Sequence, residues 1–418
     1  MASTPRPARK GTSVRLIVDG EDVDEVESMD YSSDVLAVPD VCTLTVANIA
    51  RKYRGLLKLG QEAEVHMANP AVNGGEWTLR FSGIITNRSP NGSKGTGNRV
   101  DVTVADLGWH LTGGAPLWYN LQKALYRDLV DVASPNTILD SSFKFKGIRS
   151  SNDLNKRAKL GLAAVRAEQS QLLQQVYRIQ VEPGQTYLSI ITDLCRRYNL
   201  LVNVSLDGWI QCFLPKYDEA PIYVVRNGTE SGLDDATTNV KSYRAVEDAG
   251  KIFTRVQCVG EQSGGEILVD SQDPNANKRR GAVDHVGALP FRREFSFSDS
   301  EAFNQGLAQK VAEWKYKRFL FDAYHLQYTV PDHFQVGSDG KGVWYDCDHM
   351  VDVVDYEVGY YGGGYLRSVK CRMKKNAPDE TDLIIHRPGL LTAAFGVLPA
   401  PPTILANNIK GTPKAEQT

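Results

Sequence analysis

The chain has 418 residues, enough for about two to four domains, each with its own core. Apolar residues make up 42% and charged residues 23%, which excludes wholesale disorder. With 48 basic against 50 acidic side chains, the net charge of −2 excludes a bulk electrostatic pull toward nucleic acid or an anionic membrane.

The N-terminal arm, residues 1–11, belongs to a polar stretch, MASTPRPARKGT, without the apolar core of a secretion signal. No run of ~18 apolar residues occurs that could span a membrane. The nearest, Leu390 to Ala406, is broken by Gly396, Pro399, Pro401 and Pro402. Synthesis and assembly in a cytoplasm are expected. The six cysteines (Cys42, Cys195, Cys212, Cys258, Cys347 and Cys371) form no CxxC pair and are expected to be reduced.

Residues 12–117 read as a first β-barrel-like domain. VRLIVDG and CTLTVAN open it, followed by three alternating segments. In QEAEVHM, Ala63, Val65 and Met67 share a face. EWTLRFSGI places Trp77, Leu79, Phe81 and Ile85 together, with Thr78, Arg80 and Ser82 opposite. RVDVTVADLGWHL alternates through Val100, Val102 and Val104, then turns at Asp106 to bury Leu107, Trp109 and Leu111. Period-two alternation in three neighbouring segments predicts an antiparallel sheet with one dry face. NGSKGTGN, residues 91–98, is expected to be a hairpin loop.

Residues 118–236 read as a helix-rich α+β module. Leu121, Leu125, Leu129 and Val132 predict a helix over Leu121–Ala133. Ala158, Leu162, Val165, Leu172 and Val176 predict another over Leu154–Tyr177, weakened at Gly161. Leu162, Val165 and Leu172 are candidate interface residues, packing within the domain being the alternative. Thr186 can cap a helix burying Leu188, Ile191, Cys195 and Tyr198, and Asp207-Gly208 suits a two-residue hairpin turn before Trp209, Ile210 and Phe213.

Residues 237–387 read as a second β-barrel-like domain with one helix. SYRAV and KIFTRVQCV are strands, and Glu261 to Pro290 an exposed connection. Ser298 to Glu301 form a capping box for a helix with Phe303, Leu307, Val311 and Trp314 on one side. AYHLQYTV, MVDVVDYEVGYY and YLRSVKCRMKK return to strand periodicity. The last segment, 388–418, reads as a Pro-rich extended tail whose Leu391, Phe395, Leu398 and Ile404 are candidate anchors for a neighbouring protein. Covering the chain's own last barrel is the alternative. The fold class is α+β, predominantly β.

Chemistry is sparse. Asp346, Cys347, Asp348 and His349 are ligand types, but alternation along a strand splits them between two faces. Lys94 in GSKGTG lacks the helix that a phosphate loop opens. Trp109, Trp209 and Trp344 flank turns and are expected to close cores rather than stack on sugars or bases. No catalytic, cofactor or metal residue is assigned, and no enzyme activity is expected.

The succession VDVTVADLGWHL, PGQTYLSIITDLCRRYNLLVNV, DGWIQCF and MVDVVDYEVGYYGGGYLRSVKCRMKK resembles the baseplate hub proteins of contractile-tailed bacteriophages, Mu-like hubs in particular, and the hub portion of type VI secretion spikes. The resemblance covers roughly residues 12–390. It implies a homotrimer in the virion tail, with two related barrels per chain and six in a ring. That ring would join a sixfold tail tube protein to a trimeric spike protein, contact other baseplate proteins and let double-stranded DNA pass without specific binding. A type VI-like spike hub and a tail-associated cell-wall hydrolase are the alternatives.

Overall fold

In the computed structural model the described residues lie between 11 and 390; residues 114–119, 126–147, 150–175, 193–200, 229–237, 261–279 and a few shorter stretches are not among them. The first half contains β1 (Ser13–Val18), β2 (Glu21–Val23), β3 (Val26–Asp34), β4 (Ala37–Ala47), β5 (Glu62–Ala68), β6 (Thr78–Ser93) and β7 (Gly97–Ala105). Alternation does what the sequence predicts: Ala63, Val65 and Met67 of β5 and Val100, Val102 and Val104 of β7 are buried, while Glu62 and Glu64 are exposed. The 91–98 segment is a hairpin, closed by Gly92 opposite Asn98 and Ser93 opposite Gly97. Asp106 ends β7 and accepts from the Gly108 N–H at the head of a 3-10 turn, Leu107–Thr112.

Two tryptophans differ from expectation. Trp77 and Trp109 are each 44% exposed. A register shift between Val65 and His66 of β5 leaves Arg80 as an extra residue in β6. The bulge moves the residues before it off the dry face. Arg80 itself turns inward, bonding the Tyr345 carbonyl at 2.8 Å and lying 5.9 Å from the Trp344 ring. Trp109 stacks edge-on against His110 outside the core, which Leu111 closes instead.

The middle stretch holds β8 (Asn120–Leu125), β9 (Ile148–Arg149), β10 (Val176–Gln180), β11 (Leu201–Val204) and β12 (Ile210–Phe213). Leu121–Leu125 is a strand, not the start of a helix, because it pairs antiparallel with β10. A helical spacing of leucines is outweighed here by a β-branched partner strand far along the chain. Val176 and Tyr177 likewise belong to β10, and the rest of the expected Leu154–Tyr177 helix lies outside the described residues. Thr186 caps as expected: its Oγ1 accepts from the Ser189 N–H at 3.1 Å, and Ser189 Oγ accepts from the Thr186 N–H at 3.0 Å. β11 and β12 pair as an antiparallel hairpin with Val204 opposite Ile210, and the expected turn at Asp207-Gly208 lies outside the described residues.

The second half contains β13 (Tyr223–Asn227), β14 (Ser242–Glu247), β15 (Arg255–Gly260), β16 (Arg280–Asp284), β17 (Glu294–Asp299), the helix α1 (Gln305–Ala323), β18 (Tyr324–Pro331), β19 (Phe334–Val336), β20 (Gly342–Trp344), β21 (His349–Asp355), β22 (Tyr360–Lys374) and β23 (Glu380–His386). Ser298 and Asp299 sit in β17, paired with β15, so the expected capping box does not start there; residues 300–304 lie outside the described ones. Part of the expected exposed connection, Arg280–Asp284, is a strand. On α1 the buried stripe is Ala308, Ala312 and Tyr316, packed on Val256, Cys258 and Val283, whereas Val311 is only partly buried.

Thirteen strands share one sheet, in the order β14-β18-β23-β22-β3-β4-β7-β6-β5-β1-β2, with β21 on β22 and β13 on β21. One apolar cluster runs through both halves, from Leu16, Leu44 and Val102 to Val330, Val353 and Leu383. The architecture is predominantly β, as expected, but the two barrel-like halves are continuous with each other and no closed barrel forms among the described residues.

Candidate assembly interface

The two halves repeat one another strand for strand. In chain order, β1, β3, β4, β5, β6 and β7 correspond to β13, β14, β18, β21, β22 and β23, and in sheet order β3-β4-β7-β6-β5-β1 corresponds to β14-β18-β23-β22-β21-β13. The outermost pair differs: β1 runs antiparallel to β5, whereas β13 runs parallel to β21.

The match extends to single residues. β6 against β7 slips register between Ile85 and Asn87, and β22 against β23 slips between Leu366 and Ser368. Aligning these bulges sets Ile85 on Leu366, Asn91 on Arg372, Asp101 on Asp382 and Thr45 on Thr329. Thr45 Oγ1 donates to Asp101 at 2.8 Å, and Thr329 Oγ1 donates to Asp382 at 2.8 Å. Asn91 donates to Asp101 and Arg372 to Asp382, each at 2.6 Å. Gly60 and Asp348, both with positive φ, place their N–H groups on the carbonyls of Ile85 and Leu366.

The halves are joined edge to edge. β22 is long enough to take two partners on one side: β21 along Tyr360–Leu366 and β3 along Ser368–Lys374. In the β3 register Lys370 faces Ser32, Cys371 faces Tyr31 and Arg372 faces Asp30. Met29, Tyr31 and Ser33 of β3 are buried, as are Val369, Cys371 and Met373 of β22. Polar contacts flank the ladder: Lys370 lies 3.2 Å from Asp30, Arg367 reaches Asp34 at 3.1 Å, and Ser368 Oγ donates to the Ser33 carbonyl at 3.0 Å. Burial pushes the Cys371 thiol up to about 12, so it stays protonated.

Among the described residues the corresponding edges elsewhere are bare. β14, the counterpart of β3, pairs with β18 alone, and five of its six residues are exposed, Tyr243 by 46%. On β6 the partner β5 covers Thr78–Ile84 only, leaving Asn87–Gly92, the counterpart of the β3-binding part of β22, paired only with β7. Arg88 there keeps a buried Nε with no hydrogen-bond partner.

The ligand-type residues are engaged separately. Asp346 meets Arg80 at 3.5 Å, Cys347 Sγ lies 3.1 Å from Ser33 Oγ, Asp348 accepts from Tyr365 Oη at 2.9 Å, and His349 lies 3.7 Å from Glu219. Among the described residues no three His, Cys, Asp or Glu side chains converge as a metal site. Trp344 is buried as expected, while Trp209 and Lys94 lie outside the described residues. So do the candidate interface residues Leu162, Val165, Leu172, Leu391, Phe395, Leu398 and Ile404. The tail's first apolar residue, Leu390, packs onto this chain's own Val35, Phe321, Met350 and Tyr365. Reading the sequence missed the free edges, since SYRAV alternates like any paired strand; only the register shows which side is open.

This is the fold of a bacteriophage tail protein. It is shared with the tail protein of Neisseria meningitidis MC58, at TM-score 0.65 and 19% identity over 91% of this chain and 98% of that one. The 43 kDa tail protein of prophage MuSo2 from Shewanella oneidensis matches at TM-score 0.66 and 16% identity, over 91% of this chain and 100% of that one. A chain of the Francisella PdpA-VgrG complex matches at TM-score 0.51 and 10% identity, over 94% of this chain and 60% of that one. No protein-family model and no curated protein matches the sequence.

Proposed function

We propose that the protein is a structural, non-enzymatic hub of a phage tail baseplate, in the virion tail. It acts as a homotrimer whose six barrel-like units form a ring between a sixfold tail tube and a trimeric spike. The observation that carries this reading is the internal repeat: two units with one strand order, chained through β3 and β22. Three such chains give six similar units, a geometry that meets a sixfold partner on one face and a threefold partner on the other. Residues 12–117 supply one ring unit and 237–387 the other, the second completed by β13 (Tyr223–Asn227) from the end of the 118–236 module that lies between them. The balance of 48 basic and 50 acidic side chains suits a conduit for double-stranded DNA, because a wall that neutralised many phosphates would hold the passing duplex.

The direct test is mass in solution. Native mass spectrometry of the full chain at micromolar concentration is expected to give three chains per particle, and electron microscopy a ring with an open centre. A stable monomer, or muralytic activity abolished by changing acidic residues, would overturn the hub reading.

A further inference from the structure

We propose that the exposed edge strand Ser242–Glu247 of one copy adds to the sheet of the next copy along Asn87–Gly92, in the antiparallel register that β3 makes with β22 inside each chain. This deepens the hub reading and rests on it: it states which two edges meet and residue by residue how.

The register follows from the repeat. Ser28 and Ser242 occupy the same place, opposite Thr45 and Thr329 respectively. Met29 therefore maps to Tyr243, Asp30 to Arg244, Tyr31 to Ala245, Ser32 to Val246 and Ser33 to Glu247. On the other strand the shared bulge maps Val369 to Arg88, Lys370 to Ser89, Cys371 to Pro90, Arg372 to Asn91 and Met373 to Gly92. Copying the intrachain pairs, Val369 with Ser33 and Lys370 with Ser32, sets Arg88 against Glu247 and Ser89 against Val246 of the next copy.

Three observations point to a second copy as the occupant. The first is burial: Met29 and Tyr31 are 2% and 6% exposed in the formed junction, while their counterparts Tyr243 and Ala245 are exposed. An open edge with an aromatic on it is a template for another strand. The second is charge. Arg88 has a buried Nε without a partner, and the copied register brings the exposed Glu247 carboxylate opposite it. Opposite charges on directly opposed residues favour that pairing over its neighbours. The third is asymmetry. The two bare edges are different surfaces of one chain, so the contact is head to tail, and such contacts close into rings when the rotation permits. Pro90 carries no N–H and shortens the ladder by one donor, which leaves the junction more dependent on the Arg88–Glu247 pair.

The test uses the full chain. Ser89→Cys combined with Val246→Cys is expected to give disulfide-linked chains on a non-reducing gel after mild oxidation. The single variants and the off-register pair Gly92→Cys with Val246→Cys are expected to give none. Arg88→Glu or Glu247→Arg alone is expected to weaken association about tenfold in sedimentation, and the combined swap to restore it. A trimer that shows no 89–246 bond and ignores the charge changes overturns the junction and leaves the hub reading standing. A particle of another stoichiometry that carries the bond keeps the junction and removes the trimeric hub. Chains that stay monomeric at every concentration overturn both.

Discussion

The two halves carry the same strands in the same order, yet they differ wherever a strand has to turn. Val35 and Leu36 alone join β3 to β4, whereas residues 248–323, with three strands and α1, intervene between their counterparts β14 and β18. Residues 48–61 link β4 to β5, and the β19–β20 hairpin stands between β18 and β21. A repeated sheet thus tolerates large excursions at hairpin ends, because loop closure costs grow slowly with length. What it keeps is the register, the bulge and the Thr–Asp contact. The repeat also differs at one pair of core-flanking positions. Where the first half places Asp40 and Asp106 together, the second places Tyr324 and Arg387, the guanidinium 5.0 Å from the ring.

Glycine substitution gives the largest expected break in the comparison. Gly83 and Gly364 occupy equivalent places one residue apart from the matched Ile84 and Tyr365. A Cβ on Gly83 would fall on the backbone carbonyl of Ala105, which has nowhere to move. A Cβ on Gly364 would meet the Cγ2 methyl of the buried Ile385, a side-chain atom that must shift within the core rather than a backbone group. Gly83→Ala is therefore expected to cost about 3 kcal/mol or more and Gly364→Ala about 1 kcal/mol. Urea unfolding of the two variants checks the order; equal losses would mean that the two halves resist a Cβ at this place alike.

The Asp40–Asp106 pair should give the first half a pH dependence opposite in sign to that of the second, where burial lowers the pKa of His333 and His386. Desolvation, then the Asp106 charge, pushes the Asp40 carboxyl up to about 8, and burial pushes Asp106 up to about 6. Ser33 Oγ and the Asp34 N–H bond Asp40 and oppose the rise. Between about pH 4, where an unfolded aspartate titrates, and about 8, the folded state holds more protons than the unfolded one. Stability from this pair is thus present at low pH and is lost as pH rises through the folded value. Asp40→Asn should therefore raise the thermal midpoint relative to the unchanged chain, by an amount that grows from pH 5 to pH 8. A difference that does not grow with pH would show that Asp40 is not the group responsible.

Much of this was legible in the sequence. The alternation from Ala63 to Val104 fixed the strands of the first half and their dry face, because each turn of the pattern is local. The exceptions are one-residue events. Arg80 reads as an outward residue beside Phe81, and only the partner strand shows it to be a bulge that turns inward. Leu121, Leu125, Leu129 and Val132 keep helical spacing, yet the described part of that segment follows a strand partner some fifty residues away, about which spacing carries no information. The repeat was foreseen as two related barrels, but not its residue correspondence. Asn91 with Arg372 and Leu44 with Tyr328 share positions without sharing chemistry, so alignment by identity would pass over them. The free edges were invisible for a similar reason: a strand's sequence shows which face is apolar, whereas its open side is set by what lies next to it.

The smallest expected effect sharpens the comparison most, because it sits where the halves agree best. Thr45→Val and Thr329→Val each delete one hydroxyl bond to an aspartate at 2.8 Å and keep the β-branched shape that a strand prefers. A net loss of about 1 kcal/mol is expected for each. The remaining donors then separate the two sites. Asp382 keeps the Arg372 guanidinium at 2.6 Å, a charged donor that satisfies the carboxylate after the hydroxyl is gone. Asp101 keeps the neutral Asn91 amide as its side-chain donor, so Thr45→Val is expected to cost slightly more than Thr329→Val. Added salt should widen the cost of Thr329→Val, since the Arg372–Asp382 pair is half-exposed and screened, and leave Thr45→Val nearly unchanged. The two sites share no partner, so the double variant should lose the sum of the single losses. Denaturant midpoints at low and high salt measure all three quantities. A double variant that loses much more or less than the sum would mean that the two halves unfold through a coupled contact, and that the repeat is mechanically one unit.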